Sequence, residues 1–161
     1  MKFLKEILLF IFIFFVLSFV INEFRKSEQT PKVLSDFKYQ TLNAGVYDIK
    51  EYNGKPTIIQ FWATWCRVCK VEISNMDALS KDYNVITVAV DSGSDFDIMS
   101  FLKQKDLHFK VINDSEGKLA KKFGVHVYPT TFIYDAKNEL KFSEAGYISE
   151  LGVRARVKLI Q

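Results

Sequence analysis

Thr57-Ile58-Ile59-Gln60-Phe61-Trp62-Ala63-Thr64-Trp65-Cys66-Arg67-Val68-Cys69-Lys70 is the stretch on which the fold turns. It holds both cysteines of the chain. An apolar, β-branched run leads into them. Behind them Cys69, Ile73, Met76, Leu79 and Tyr83 recur at steps of three and four, the signature of one buried helix face. A strand that ends near Ala63 and a helix that starts near Cys66 place Cys66 at a helix N-terminus. Unpaired backbone N–H groups and the macrodipole there favour a thiolate. Cys69 is within one turn, so its sulfur can reach that of Cys66. This is the geometry of a reversible dithiol/disulfide couple.

The rest of the composition narrows the field. A chain of 161 residues accommodates one domain and something small. A net charge of +3, dispersed along the sequence, gives no footing for nucleic acid. With both cysteines in one C-x-x-C, none is left for a structural framework. A tetrahedral zinc site needs two more ligands, and His108 and His126 have no partners at ligand spacing; both read as surface or packing residues.

Residues 7–21 are apolar except for Ser18, with Lys2 and Lys5 before them and Arg25 and Lys26 after. As a helix this run rises roughly 22 Å, and Phe3, Leu4 and Phe24 extend it. We read residues 1–26 as an uncleaved membrane anchor. A cleaved signal peptide competes, but its small-x-small site is poorly formed; a buried core helix is a third reading. The flanking charges are nearly balanced. A two-lysine tail ahead of the first apolar segment still reads as N-in, which puts the following domain outside the cytoplasm. Residues 27–34 read as a tether and 35–161 as the domain.

Within the domain, Phe37 to Leu42 and Val46 to Tyr52 read as short strands or irregular edges. Thr57 to Trp62 and Val85 to Val90 read as strands covered on both faces. Cys66 to Tyr83 reads as a helix. Ser94 caps a second helix that turns Ile98, Phe101 and Leu102 inward. Phe109 to Ile112 is a short strand, and Asp114-Ser115 caps a helix ended by Gly124. Thr130 to Tyr134 and Glu139 to Ser143 form an antiparallel hairpin. A last helix from Ile148 presents Leu151, Val153, Val157 and Ile160. The order β-α-β-α-β-α-β-β-α gives an α/β domain, a mixed sheet flanked by helices.

Phe61-Trp62-Ala63-Thr64-Trp65-Cys66-x-x-Cys69-Lys70 resembles the active-site stretch of thioredoxin-fold proteins. Gly124-Val125-His126-Val127-Tyr128-Pro129-Thr130-Thr131-Phe132 resembles the cis-proline loop that faces the C-x-x-C in that fold. The resemblance covers roughly residues 34–161. Within the fold the chain looks most like the membrane-anchored periplasmic branch of the TlpA, ResA and CcmG type. The segment from the second buried strand to Phe123 matches that branch's extra strand and helix. The runs Val88 to Gly93 and Val111 to Asp114 look closest to the suppressor-for-copper-sensitivity D type.

Three positions depart from the pattern. Val68 stands where thioredoxin has proline. Gln60 stands where it has a buried acid. Ser74 stands where many members have a helix-kinking proline. Glu72, one turn beyond Cys69, offers a substitute for the missing acid, and in the ResA-like group a glutamate at this spacing is an active-site residue. The bland alternative for Glu72 is an exposed helix carboxylate near an N-terminus. The resemblance implies Cys66, Cys69 and Glu72 as the catalytic set, and Trp65, Arg67, Tyr128, Pro129 and Thr130 at the substrate surface. Tyr128 is read equally well as a packed side chain, Arg67 and Lys70 as solvated charge, and Trp62 as partly core.

The function so implied is that of a membrane-tethered thiol–disulfide oxidoreductase, reducing disulfide-containing protein substrates without a small cofactor. It would face the periplasm from the inner membrane as a single-pass protein and take electrons from a membrane donor of the DsbD type. Two other classes stay open: a copper-binding or copper-tolerance module that uses the same cysteines, and a non-turnover partner in cytochrome c maturation.

Overall fold

The computed structural model describes residues 30–161. The anchor read at 1–26 lies outside the described residues. Among the described residues, no helix is long and apolar enough to cross a membrane.

The first strands of the described residues form a two-stranded antiparallel ribbon of β1 (Lys38–Gln40) and β2 (Val46–Asp48). The second strand stops earlier than its sequence suggests. At Ile49 the backbone turns into a short 3-10 helix, Ile49–Tyr52, capped by the Asp48 carboxylate, which accepts from Lys50 N. Then follow β3 (Thr57–Trp62), α1 (Arg67–Ser80), β4 (Asn84–Val90), α2 (Asp95–Gln104), β5 (Lys110–Asp114), α3 (Lys118–Lys122), β6 (Thr130–Tyr134), β7 (Leu140–Ala145) and α4 (Glu150–Lys158).

The main sheet has the order β5-β4-β3-β6-β7. β3, β4 and β5 run parallel, while β6 and β7 are antiparallel additions. All six residues of β3 are buried, which fits its central place and its unbroken apolar run. The sheet separates two cores. One holds Ile58 and Trp62 with Ile73 and Met76 of α1, Ile98 of α2, Ile133, and Val153 and Val157 of α4. The other holds Ile59, Phe61 and Phe132 with Leu119 of α3, Phe123, and Phe37 and Tyr47 of the ribbon.

Several local expectations need revision. Residues 30–34, read as tether, lie against the domain. Leu140 N donates to Lys32 O, Leu34 N to Asn138 O, and the Tyr134 hydroxyl to Pro31 O. Leu151, read as inward, is 76% exposed. Helix α4 starts at Glu150 with Ser149 as its cap, not at Ile148, and Leu151 lies two residues, about 200° around the axis, from the buried Val153, so it faces solvent. Helix α3 has Gly117, at φ +65°, in the cap position. Asp114 still serves it from a distance, because its carboxylate accepts from Leu119 N and Ala120 N.

Strand β5 is one edge of the sheet. Along β5, Leu42 N donates to Val111 O, while the Asn43 side chain donates to Phe109 O and accepts from Val111 N. That edge is covered by the loop between the ribbon strands.

Candidate active site

Strand β3 delivers the redox pair. It leaves the sheet after Trp62 and the backbone turns, with Cys66 N donating to Ala63 O. Cys66 is the cap of α1. Its Sγ accepts from Cys69 N at 3.1 Å and is bonded to Cys69 Sγ, with the two Cα atoms 5.3 Å apart. Cys69 is 1% exposed and Cys66 8%. The outer sulfur is therefore Cys66. After reduction, the same N–H and the N-terminal end of the fourteen-residue helix α1 favour its thiolate.

Two segments hold this turn. The first is the β4–α2 connection. Thr64 N donates to Ser92 Oγ at 3.0 Å, Ser92 Oγ donates to Val90 O, and the indole N–H of Trp65 donates to Asp91 O at 2.8 Å. Asp91 and Ser92 lie in the run Val88 to Gly93 that carries a family resemblance, but their part in holding the cysteine turn becomes visible only in three dimensions. The second is the loop before β6. The Tyr128–Pro129 peptide is cis. The Tyr128 carbonyl oxygen lies 3.6 Å from Cys66 Sγ. Its ring meets that of Trp65 edge-on at 5.7 Å, the perpendicular arrangement that aromatic quadrupoles favour.

Around the sulfurs the side chains divide into outer and inner groups. Trp65, 56% exposed, and the exposed Arg67 form the outer surface with the half-buried Tyr128. Pro129 and Thr130 are buried. The Thr130 hydroxyl donates to Val127 O at 2.7 Å, closing the loop from within. The Thr130 hydroxyl thus shapes the loop. His126 and His108 are exposed.

Glu72 is the least ordinary group of the site. It is 0% exposed, which rules out a solvated helix carboxylate. It shares the inner face of α1 with Cys69, one turn away. Its carboxylate accepts from the Gln60 side-chain amide at 2.6 Å and from Ile148 N at 2.9 Å. Burial pushes its pKa from 4.5 up to about 7, against the two hydrogen bonds, which pull it down. Desolvation wins, and the carboxyl titrates near neutrality. Gln60, at the position of a buried acid in the resembled fold, is thus the neutral partner of an acid supplied from α1. Among the described residues, no three His, Cys, Asp or Glu side chains gather as a metal site.

Comparison with known proteins agrees with this geometry. The AhpC/TSA family matches residues 31–143. A thioredoxin-like protein of Haemophilus influenzae is 28% identical over 149 residues, 91% of this chain and 89% of that one. The thiol-disulfide oxidoreductase ResA of Bacillus thuringiensis is 33% identical over 108 residues, 65% of this chain and 62% of that one. The crystal structure of the pneumococcal exposed lipoprotein thioredoxin Etrx1, from Streptococcus pneumoniae, superposes with a TM-score of 0.70 at 27% identity. It covers 78% of this chain and 99% of that one.

Proposed function

The chain belongs to the AhpC/TSA family and is a thiol–disulfide oxidoreductase of thioredoxin-like fold, and on that premise we propose that it is a membrane-tethered reductase of protein disulfides. The observation that supports disulfide exchange with turnover is the buried Glu72 carboxyl on the same helix face as Cys69. It answers the one chemical need the cysteines cannot meet themselves, the removal of a proton from the inner thiol.

In the first step the Cys66 thiolate attacks one sulfur of a client disulfide. A Cys66–client S–S bond forms, the client S–S bond breaks, and the second client sulfur leaves as a thiolate that takes a proton from water. In the next step the Cys69 thiol gives its proton to the Glu72 carboxylate. The Cys69 thiolate attacks Cys66 Sγ, the Cys66–Cys69 bond forms, and the client's remaining sulfur leaves as a thiolate. Glu72 returns its proton to that sulfur or to water. The client gains two electrons and two protons, and the enzyme ends oxidised. A membrane dithiol donor of the DsbD class would restore it, and no small cofactor enters. Trp65, Arg67, Tyr128 and the Pro129 turn form the surface on which the client backbone lies.

The apolar run at 7–21 supports the tether, and the exposed-lipoprotein character of the pneumococcal relative supports an outward-facing surface. A Cys69→Ser variant in intact cells tests these points together. It should accumulate mixed disulfides through Cys66, recovered with the membrane fraction. No captured client would overturn turnover, and capture only in the soluble fraction would overturn the tether. Direction has its own measurement. A Cys66/Cys69 potential near the strongly oxidising DsbA value of about −120 mV would overturn the reductase assignment.

A further inference from the structure

A row of polar residues crosses the sheet beneath α1. Gln60 of β3 is the register partner of Thr87 on β4 and of Thr131 on β6, and Thr131 is the partner of Glu144 on β7. Register partners point to one face. Ile58, Trp62 and Ile133, which alternate with them, belong to the core under α1. The outer members of the row have partners. The Thr87 hydroxyl donates to Lys110 O, and Glu144 accepts from Arg156 Nε at 2.9 Å.

The two central members differ. Gln60 and Thr131 are 1% and 0% exposed. Gln60 Oε1 and Thr131 Oγ1 each lack a hydrogen-bond partner among the described residues. Enclosed polar atoms without partners are rare and costly. These two complement each other: one is an acceptor, and the other carries a hydroxyl hydrogen free to rotate. Directly opposed Cβ atoms lie about 5 Å apart, a span that a turn of the glutamine side chain or one bridging water closes.

We infer that Thr131 is a positioning residue for the redox site, whose hydroxyl donates to Gln60 Oε1 and thereby holds the Gln60 amide with its N–H toward Glu72. Without that hold the amide can rotate and present its carbonyl oxygen. Only a protonated Glu72 could hydrogen-bond to that oxygen. Thr131 therefore tilts Glu72 toward its ionised, proton-accepting form. Of the other charged groups on the surrounding elements, Arg67 and Lys70 of α1 and Lys158 of α4 are exposed, and others are engaged elsewhere. Asp77 of α1 accepts from His108 N, Glu144 of β7 is held by Arg156, and Arg154 of α4 is held by Glu150 and Asp82. The consequence for catalysis rests on the proton-accepting role of Glu72 proposed above; the link between Thr131 and Gln60 does not.

The test follows the Glu72 carboxyl directly, by carbon NMR of the full-length protein labelled at glutamate, with Glu72→Gln identifying its resonance. Thr131→Val should lower the Glu72 ionisation constant about tenfold, one pH unit in the midpoint, and Thr131→Ser should restore it. A parental midpoint in Thr131→Val overturns the inference, as does a Ser variant shifted as far as the Val variant. Denaturation midpoints are a second readout. Removing a hydroxyl that has no partner stabilises a protein, so a Thr131→Val variant more stable than its parent also overturns it. If Glu72 shifts as expected while the pH profile of client reduction stays put, the link stands and the acid–base role of Glu72 falls.

Discussion

Replacing the Glu72 carboxyl by an amide keeps both of its hydrogen-bonding neighbours within reach, because glutamine can still accept from Ile148 N and can donate to a turned Gln60. Glu72→Gln therefore isolates the proton from the packing. The folded state raises the pKa of this carboxyl, so it holds its proton more tightly folded than unfolded. Stability is then full below 4.5 and declines as pH rises to about 7, above which it is level. The amide variant should lack this decline and exceed the parent by up to about 3 kcal/mol at pH 8, read from denaturant midpoints at pH 4 and pH 8. Resolution of the mixed disulfide should also lose its inflection near pH 7, measured by single-turnover thiol release across pH. At this scale the sequence is readable wherever a residue type has one chemistry. Cys66 and Cys69 are of that kind. Glu72 is not, since the same glutamate suits a solvated turn, and only its burial under the Ile148 backbone decides between the two.

Helix starts show a similar division. Ser94 is legible as a cap, and the structure adds the reciprocal bond, with Asp97 accepting from Ser94 N. Helix α3 is harder to read. Its cap position is a glycine, and the service comes from Asp114, four residues before the first helical residue, at the end of a strand. Asp114→Ala leaves two buried N–H groups without a partner and should cost about 1–2 kcal/mol, measurable as a lowered unfolding midpoint. The loss should loosen Leu119 and Phe123, so proteolysis at residues 118–124 should accelerate. Helix α4 misleads for a plain reason. Ile148, Leu151 and Val153 suggest an inward stripe, yet Ile148 precedes the helix, its N–H donated to Glu72 and its carbonyl accepting from Asn75. Leu151, about 200° around the axis from Val153, points to water.

For the whole molecule, the sheet is what the cysteines depend on. Its two faces carry separate cores, and the aromatic one contains Phe61, Phe123 and Phe132, with ring centroids 5.1–5.8 Å apart. Phe61 and Trp62 are neighbours on β3 facing opposite cores, so a cavity on the side away from α1 still reaches the strand that delivers the redox pair. Phe123→Ala should cost about 3–5 kcal/mol, read by thermal or denaturant unfolding. The parallel β3-β4-β5 half is legible because buried strands joined by helices have few alternative arrangements. The ribbon is less so, because its three-residue strands have little periodicity and take their place from the burial of Phe37 and Tyr47 in the aromatic core. One further consequence follows from Asn43. A strand at the margin of a sheet offers its backbone to any passing chain, and the hydrogen bonds of Asn43 and Leu42 occupy that offer along β5. Asn43→Ala should leave the redox chemistry intact and shorten the shelf life of concentrated protein, seen as faster growth of light scattering on storage. For an enzyme that exchanges disulfides with other proteins, the closed β5 margin removes one place where a passing chain could pair without reaching the sulfurs.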